Sequence, residues 1–484
     1  MAKFAPADDQ FAKLTSADRN GFAVGDFSQN LIFGTVGGFL LFYLTSISGI
    51  SAAVGATIFL VVRWINVFWD PWVGSMVDRS PVTKDGKYRK YIKTFGIPLV
   101  ILASLLFLPV GTWLGTNMTM KITWAFVSYL ATALVYSWVN IPYGSLMAGL
   151  TRDNDEIAKL TTTRMTWANT GNLLVYTLFP LFVQLATSYQ NKPTAFGLGN
   201  LKLPLGNYAS PHAAGAWFGV FAVYMVLGAV GLYITYRTSH ERVLPEGDAP
   251  QVKFADLWNE FSGSRPLQIL GLFFLVGFTF MFFGNTVWPF FVQYNIGHSE
   301  LMFMIGLIGS IPGIFLVFLW PIIRKWIGKK MFFELFLAVF ILGSVLLFMW
   351  DKNPSNTLLG YTGRFLQQWG LTAATGFMWA LVPEVITYNE HKSGKRVAGI
   401  INALMGLFFK IGLALGGIIP GYMLAATGFD ATKTAQSSAA LSGLVNAMVW
   451  VPIALAIVAG IIMWMYPLTD EMVNQMNKEI AEKN

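Results

Sequence analysis

The chain has 484 residues, 55% of them hydrophobic and only 12% charged, with a mean hydropathy of +0.54. A soluble domain carries about twice that charged fraction, so the composition predicts an all-α polytopic membrane protein. Cysteine is absent, which excludes disulfides, thiolate zinc ligands and thiol catalysis. The histidines His212, His240, His298 and His391 fall in loops or at segment ends, with no two at metal-ligand spacing, so no metal site is expected. A GxxxxGK[ST] run is also missing, so no ATP motor is expected.

The stretch Met1 to Asn20 is polar and mixed in charge. It lacks the apolar core of a cleaved signal peptide, so the first membrane segment is expected to act as an uncleaved insertion signal. A spanning helix needs about 20 mostly apolar residues. Reading for such runs predicts twelve, over roughly 21–46, 51–77, 94–114, 120–149, 166–187 and 213–237, then 267–294, 301–323, 331–350, 359–388, 397–426 and 440–467. The polar connection from Ser239 to Ser264, with Pro245, Gly247 and Pro250, divides them six and six. The expected organisation is an N-terminal six-helix half over 1–238, a cytoplasmic linker over 239–266, a C-terminal six-helix half over 267–468 and a cytoplasmic tail over 469–484. Two halves around a central cavity is a common plan of secondary transporters, with substrate bound near the bilayer midplane.

Polar residues interrupt these runs in a pattern. The first segment carries Asp26, with Gln29 and Asn30 at i+3 and i+4. The second carries Arg63, Asn66 and Asp70 at i, i+3 and i+7, which share one helix face. A charge near the bilayer centre costs at least ~2.5–3.5 kcal/mol, so this stripe is expected to face protein or water rather than lipid. The segment ends in Asp78-Arg79, opening a basic loop that runs to Lys93 and is expected to latch an inner gate. The fourth segment carries Ser137 and Asn140, and the fifth carries Arg164, Asn169 and Asn172. The tenth carries Trp379 and, five residues on, Glu384, whose place near the segment end suits a solvated or gating role. Lys410 stands alone in the eleventh. The stripes on segments one, two, four and five define a polar interior that Trp379 and Lys410 are expected to close.

Positive charge is unevenly placed. Loops after the even-numbered segments hold 20 Lys and Arg, and the opposite loops hold 5. The positive-inside rule then puts both termini in the cytoplasm of a cell whose inner (plasma) membrane the chain crosses. The net charge of +8 is therefore topogenic, and nucleic acid is not expected as a partner. Carboxylates, amides and cations beside aromatic faces suit a neutral polyhydroxyl solute, whose hydroxyls both donate and accept while an apolar sugar face stacks on Trp or Tyr.

Several stretches match one family in register. They are Gly25-Asp26-Phe27, then Arg63 with Asp70-Pro71, Gly74 and Asp78-Arg79, Gly86-Lys87-Tyr88-Arg89, and Asn140-Ile141-Pro142-Tyr143 with Ser145-Leu146. Arg164, Trp379 and Lys410 follow, as does Tyr388-Asn389-Glu390 with Lys392-Ser393-Gly394 and Arg396. The chain resembles the glycoside–pentoside–hexuronide:cation symporters, the melibiose permease group of the major facilitator superfamily. The resemblance implies the twelve-helix major facilitator fold and alternating access driven by a cation gradient. It implies sugar contacts at Asp26, Asn140, Arg164, Trp379 and Lys410, and cation positions at Asn66, Trp69, Asp70 and Ser137. Two departures stand out. Sodium-using members have a carboxylate where this chain has Asn66 and a small polar ligand where it has Trp69. The family pattern has an aspartate at Asn140. The appended regulatory domain of some relatives is not expected after the last segment.

The reading is a carrier, not an enzyme, that imports a glycoside or pentoside with a proton, without a cofactor. Asp26, Asn30, Asn140, Arg164, Trp379 and Lys410 are expected to bind sugar. Asp70, Asn66, Arg63 and Ser137 are expected to couple the cation, with Asp70 as proton carrier. Asp78, Arg79 and Glu384 are expected to gate. The rivals are sodium coupling and a carrier of another solute, such as lysolipid or drug. A membrane-embedded enzyme is disfavoured because no paired catalytic constellation is present.

Overall fold

The structure is a computed structural model and describes residues 11, 13–151, 153–188, 194–198, 201–243, 254–393, 398–431, 433 and 435–483. The chain forms two compact units. One comprises Met1–Ala249, His298–Gly306 and Asp430–Ala435, and the other Pro250–Gly297, Leu307–Phe429 and Gln436–Asn484. Of the expected linker, 244–253 lies outside the described residues, as do Arg152, Gly394 and Arg396.

Helices dominate both units. In the first they are Ser16–Thr35, Ala52–Arg79, Arg89–Ser104, Met118–Leu146, Asn154–Leu173 and Ala214–Thr238, the first and fifth prolonged through wider turns to Ile47 and Leu178. In the second the long ones are Arg265–Phe290, Lys329–Lys352, Thr357–Met378 and Ala398–Ala426, then Ser438–Val445 running through a wider turn into Val451–Trp464. Among the described residues, ten helices are long and apolar enough to cross a bilayer, or eleven if Ser299–Phe315 and Leu319–Ile327, bent 65° apart, make one span. The expected twelve is not reached by that measure. The run from Ser16 to Ile47 is outside the set, and it is the one that carries Asp18, Arg19, Asp26, Gln29 and Asn30.

The helix ends differ from the apolar runs for local reasons. The first helix starts at Ser16, not near 21, because Thr15 and Asp18 form a reciprocal capping box. Such a box adds a polar turn that a hydropathy reading cannot see. The third expected segment stops at Phe107, before Leu108-Pro109, and restarts as the short helix Val110–Trp113. The residue before a proline is pushed out of helical geometry. The tenth breaks after Met378 into a tighter turn, Trp379–Leu381, ahead of Val382–Ser393. One element was not expected at all. Strands Thr194–Leu198 and Leu201–Leu205 pair antiparallel, Leu198 opposite Leu201. The Gly199-Asn200 step between them is a two-residue hairpin signal of the kind that selects a tight turn.

Packing follows aromatic size and small-residue contacts. Trp217 sits at the centre of the first unit, with the rings of Phe39, Phe42, Tyr43, Phe107 and Phe179 between 5.3 and 6.1 Å away. Its indole N–H donates to the Tyr208 carbonyl at 2.8 Å. In the second unit Gly412 and Gly416 press against the backbone of Arg265–Phe290 near Leu275 and Thr279, where a Cβ would collide. That spacing is the small-xxx-small pattern of close membrane-helix contact.

The basic loop before Arg89 is held by an acid from the start of the linker. Glu241 accepts from the backbone N–H groups of Lys87, Tyr88 and Arg89 at 2.7, 2.8 and 2.8 Å. It thereby supplies the acceptors that the first turn of Arg89–Ser104 lacks. Gly86 has φ +91°, and a Cβ there would strike the same carboxylate, so glycine is required twice over. The Arg242 and Val243 amides donate to the Gly149 carbonyl at 2.8 and 2.9 Å, fastening the segment that carries Glu241. Hydrogen bonds to a charged group contribute about 1.5–3 kcal/mol. Glu241→Ala is therefore expected to lower the melting temperature in detergent by several degrees, and an unchanged melting temperature would show that the cap carries no stability.

Candidate functional site

The first unit builds two polar centres. At the first, Arg164 forks onto Asp26, with Nε donating to Oδ2 at 2.6 Å and Nη2 to Oδ1 at 2.9 Å. Tyr143 donates its hydroxyl to Asp26 Oδ2 at 2.7 Å. The guanidinium lies 5.5 and 5.3 Å from the ring centroids of Phe22 and Tyr143, which stack on each other at 4.7 Å. Gly25 makes this closeness possible, since a Cβ there would run into the Tyr143 ring and the Thr235 hydroxyl. The pair is not sealed: the side chains of Arg164 and Asp26 remain 22% and 16% exposed. A two-bond fork fixes orientation as well as charge, and lysine could not reproduce it.

Beside it, Asn140 is exposed and donates to Gln29 Oε1 at 2.7 Å and to the Tyr136 hydroxyl at 3.4 Å. Asn30 turns back on its own helix, donating to the Asp26 carbonyl at 2.8 Å. Of the residues expected to bind sugar, the fold thus gathers Asp26, Asn140 and Arg164, with Asn30 alongside. Tyr143 and Gln29 were not among the expected site residues. Both carried a signal: Tyr143 lies three residues after Asn140, and Gln29 three after Asp26, each one turn along a helix face.

The second centre joins Ala52–Arg79 to Met118–Leu146. Ser137 donates to Asp70 Oδ1 at 2.5 Å. Asn66 Oδ1, one turn from Asp70, is buried and has no hydrogen-bond partner. Trp69 spends its N–H on the Leu134 carbonyl at 3.0 Å, a tie between the helices rather than an ion ligand. Arg63 makes no hydrogen bond or ion pair among the described residues. The fold brings Asp70, Ser137 and Asn66 to the same helix pair, with Arg63 two turns away.

In the second unit Trp379 is 43% exposed and packs edge-on against Phe274 at 4.8 Å, with Phe278 and Phe409 near. Lys410 is exposed on Ala398–Ala426. Glu384 lies in a four-charge cluster. Lys329 meets it at 2.5 Å and Arg324 at 3.4 Å, and both cations also meet Asp470, at 3.1 and 2.7 Å. Lys329 is 5% exposed and finishes on the Leu468 carbonyl. Burial first, and the Glu384 charge second, push the Tyr466 phenol well above its usual range, so it stays a donor.

The other two expected gating residues behave differently. Asp78 and Arg79 are exposed and form no ion pair among the described residues. Ion pairs at that end of the first unit come from other residues. Lys93 and Tyr236 bond to Asp85 at 2.8 and 2.7 Å and together hold its carboxyl below the usual range. Glu156 binds Lys159 at 2.8 Å and Arg19 at 2.7 Å, and Lys159 above all holds it low.

A family model described as MFS/sugar transport protein matches residues 21–470. The chain belongs to this family. It is a membrane carrier of the major facilitator fold and not an enzyme, and its relatives fit the glycoside–pentoside–hexuronide:cation symporters. The carrier is 34% identical to YnaJ of Bacillus subtilis (strain 168), described as an uncharacterized symporter, over 98% of this chain and 96% of that one. It is 27% identical to an isoprimeverose transporter of Lactiplantibacillus pentosus, over 97% and 92%. Among solved structures, a mutant form of the nucleoside transporter NupG aligns with a TM-score of 0.62 at 14% identity, over 93% and 99%. That likeness is one of fold.

The Arg164 fork gives a direct test. Arg164→Lys keeps the charge and loses the second bond. Sugar binding to the purified carrier is expected to weaken about tenfold, or ~1.4 kcal/mol, with the melting temperature little changed. Wild-type affinity in a folded Arg164→Lys protein would remove the fork from the binding site.

Proposed function

We propose that the carrier imports a neutral glycoside or pentoside together with a proton, across the inner (plasma) membrane, with both termini in the cytoplasm. The observation that carries this reading is the Asp26–Arg164–Tyr143 centre. It is a charge pair inside the membrane-crossing unit, held by a two-bond fork, yet left partly open. A pair that only locked helices would be closed off. An open one offers acceptors and donors together, which is what a sugar hydroxyl needs. Asp26, Arg164 and Asn140 of the first unit bind the sugar. The isoprimeverose transporter among the relatives supports a glycoside as the class. A lysolipid would need an apolar path for its tail, which these amide and carboxylate stripes oppose.

Asp70 is the proton carrier. It lies on a different helix from Asp26, hydrogen-bonded to Ser137. The tryptophan at position 69 offers no oxygen, and the amide at 66 no second charge, so a sodium cage is poorly furnished. One observation favours sodium instead: the orphaned Asn66 Oδ1, with the Asp70 carboxylate and the Ser137 hydroxyl, brings side-chain oxygens from three residues to one helix pair. The experiment separates the two. Adding the sugar outside loaded vesicles should alkalinise the external medium with no sodium present. Asp70→Asn should cut uphill accumulation more than about tenfold yet keep sugar exchange, which needs no net proton release. Accumulation that requires sodium at a fixed pH gradient would overturn the proton, and uphill transport by Asp70→Asn would overturn the carrier role.

A further inference from the structure

The amide of Asn140 is not free to choose which way it faces. Gln29 lies behind it, only 4% exposed. Its Nε2 donates to the Gly25 carbonyl at 3.3 Å, and its Oε1 accepts from Asn140 Nδ2 at 2.7 Å. The Gly25 oxygen can only accept, so it demands the Gln29 nitrogen. The Gln29 oxygen is then turned toward Asn140 and demands the Asn140 nitrogen. Reversing Gln29 would set oxygen against oxygen at Gly25. Reversing Asn140 alone would set oxygen against oxygen at Gln29. The second Asn140 N–H points to the Tyr136 hydroxyl at 3.4 Å. Both amide hydrogens are therefore committed within the protein. Asn140 is nonetheless exposed, and the valence it has left is the carbonyl oxygen.

We propose that Gln29 is a positioning residue that fixes the Asn140 amide so that it presents an acceptor alone, making this part of the site read a hydroxyl that donates. The inference rests on the reading that Asn140 contacts the sugar. It explains how an asparagine serves where the family pattern has an aspartate. The hydrogen-bond sense of a carboxylate oxygen is kept while its charge is dropped. A ligand group that can only accept, such as a carboxylate, a carbonyl or a fluorine, is opposed here. The substrate class is then a glycoside with a ring hydroxyl, not an acidic group, facing Asn140. Once a bound ligand covers the Asn140 oxygen, an acceptor facing it leaves both unpaired, which is the kind of mismatch that discriminates most strongly.

The test uses the full-length carrier in detergent and a panel of neutral glycosides and pentosides with their monodeoxyfluoro analogues, since fluorine cannot donate. In wild type, fluorine at one ring position should weaken binding about tenfold or more. Gln29→Met keeps the buried bulk but releases the amide, and the hydroxyl-over-fluorine ratio at that position should fall to within about threefold. A purely structural role would lower yield in Gln29→Met without changing the ratio. An unchanged ratio in Gln29→Met overturns the proposal. Should that variant not fold, Gln29→Ala read the same way must lower the ratio, and an unchanged ratio there overturns the proposal. If wild type binds no sugar of the panel, it is the sugar reading that fails.

Discussion

An ion pair inside a lipid-spanning protein sets the terms for the rest of this fold. Asp26 and Arg164 could not be carried into the bilayer singly, because each uncompensated charge costs several kcal/mol. The carrier brings them in together and satisfies them further with Tyr143 and two aromatic faces. It then stops short of burial. That incomplete closure is the property a transporter needs and a structural lock does not. A solute hydroxyl competes with water for such a pair at little net cost, whereas it could not open a sealed one. Gly25 is part of the same arrangement, for the ring that completes the pair stands where any side chain at 25 would be.

The second consequence is separation. The Asp26–Arg164 centre and the Asp70–Ser137 centre use different carboxylates on different helices of one unit. Under the proposed function, proton and sugar are linked through the conformation of that unit, not through a shared ligand, so that each biases the other's binding reciprocally. In the second unit the four charges around Glu384 tie the bent region at Arg324 and Lys329 to Asp470, beyond the last long helix. Lys329 is almost wholly buried, so its bonds are protected from salt screening in a way that the exposed Asp78 and Arg79 are not.

Much of this was legible in the sequence because lipid imposes a simple rule: polar residues in apolar runs must have a reason. That rule singled out Asp26, Arg164, Asp70, Ser137 and Asn140 as candidates, and the fold pairs Asp26 with Arg164 and Asp70 with Ser137. It could not pair them, since pairing depends on which helices are neighbours. Tyr143 and Gln29 were overlooked as site residues because an aromatic and an amide beside a stronger charge look like ordinary packing. Glu384 was seen, but its partners Lys329 and Asp470 read as loop and tail charges. The fold was missed where local chemistry outweighed hydropathy. The Thr15 capping box lengthened the first helix, Pro109 cut the third segment short, and Gly199-Asn200 marked a hairpin in what reads as a loop.

The most direct measurement is an experimental structure of the carrier with a neutral glycoside bound. The account predicts ring hydroxyls within hydrogen-bonding reach of the Asp26 carboxylate and the Arg164 guanidinium, with the Asp70 centre untouched by sugar. A glycoside seated elsewhere, with the Asp26–Arg164 fork intact and no sugar atom near it, would contradict the account.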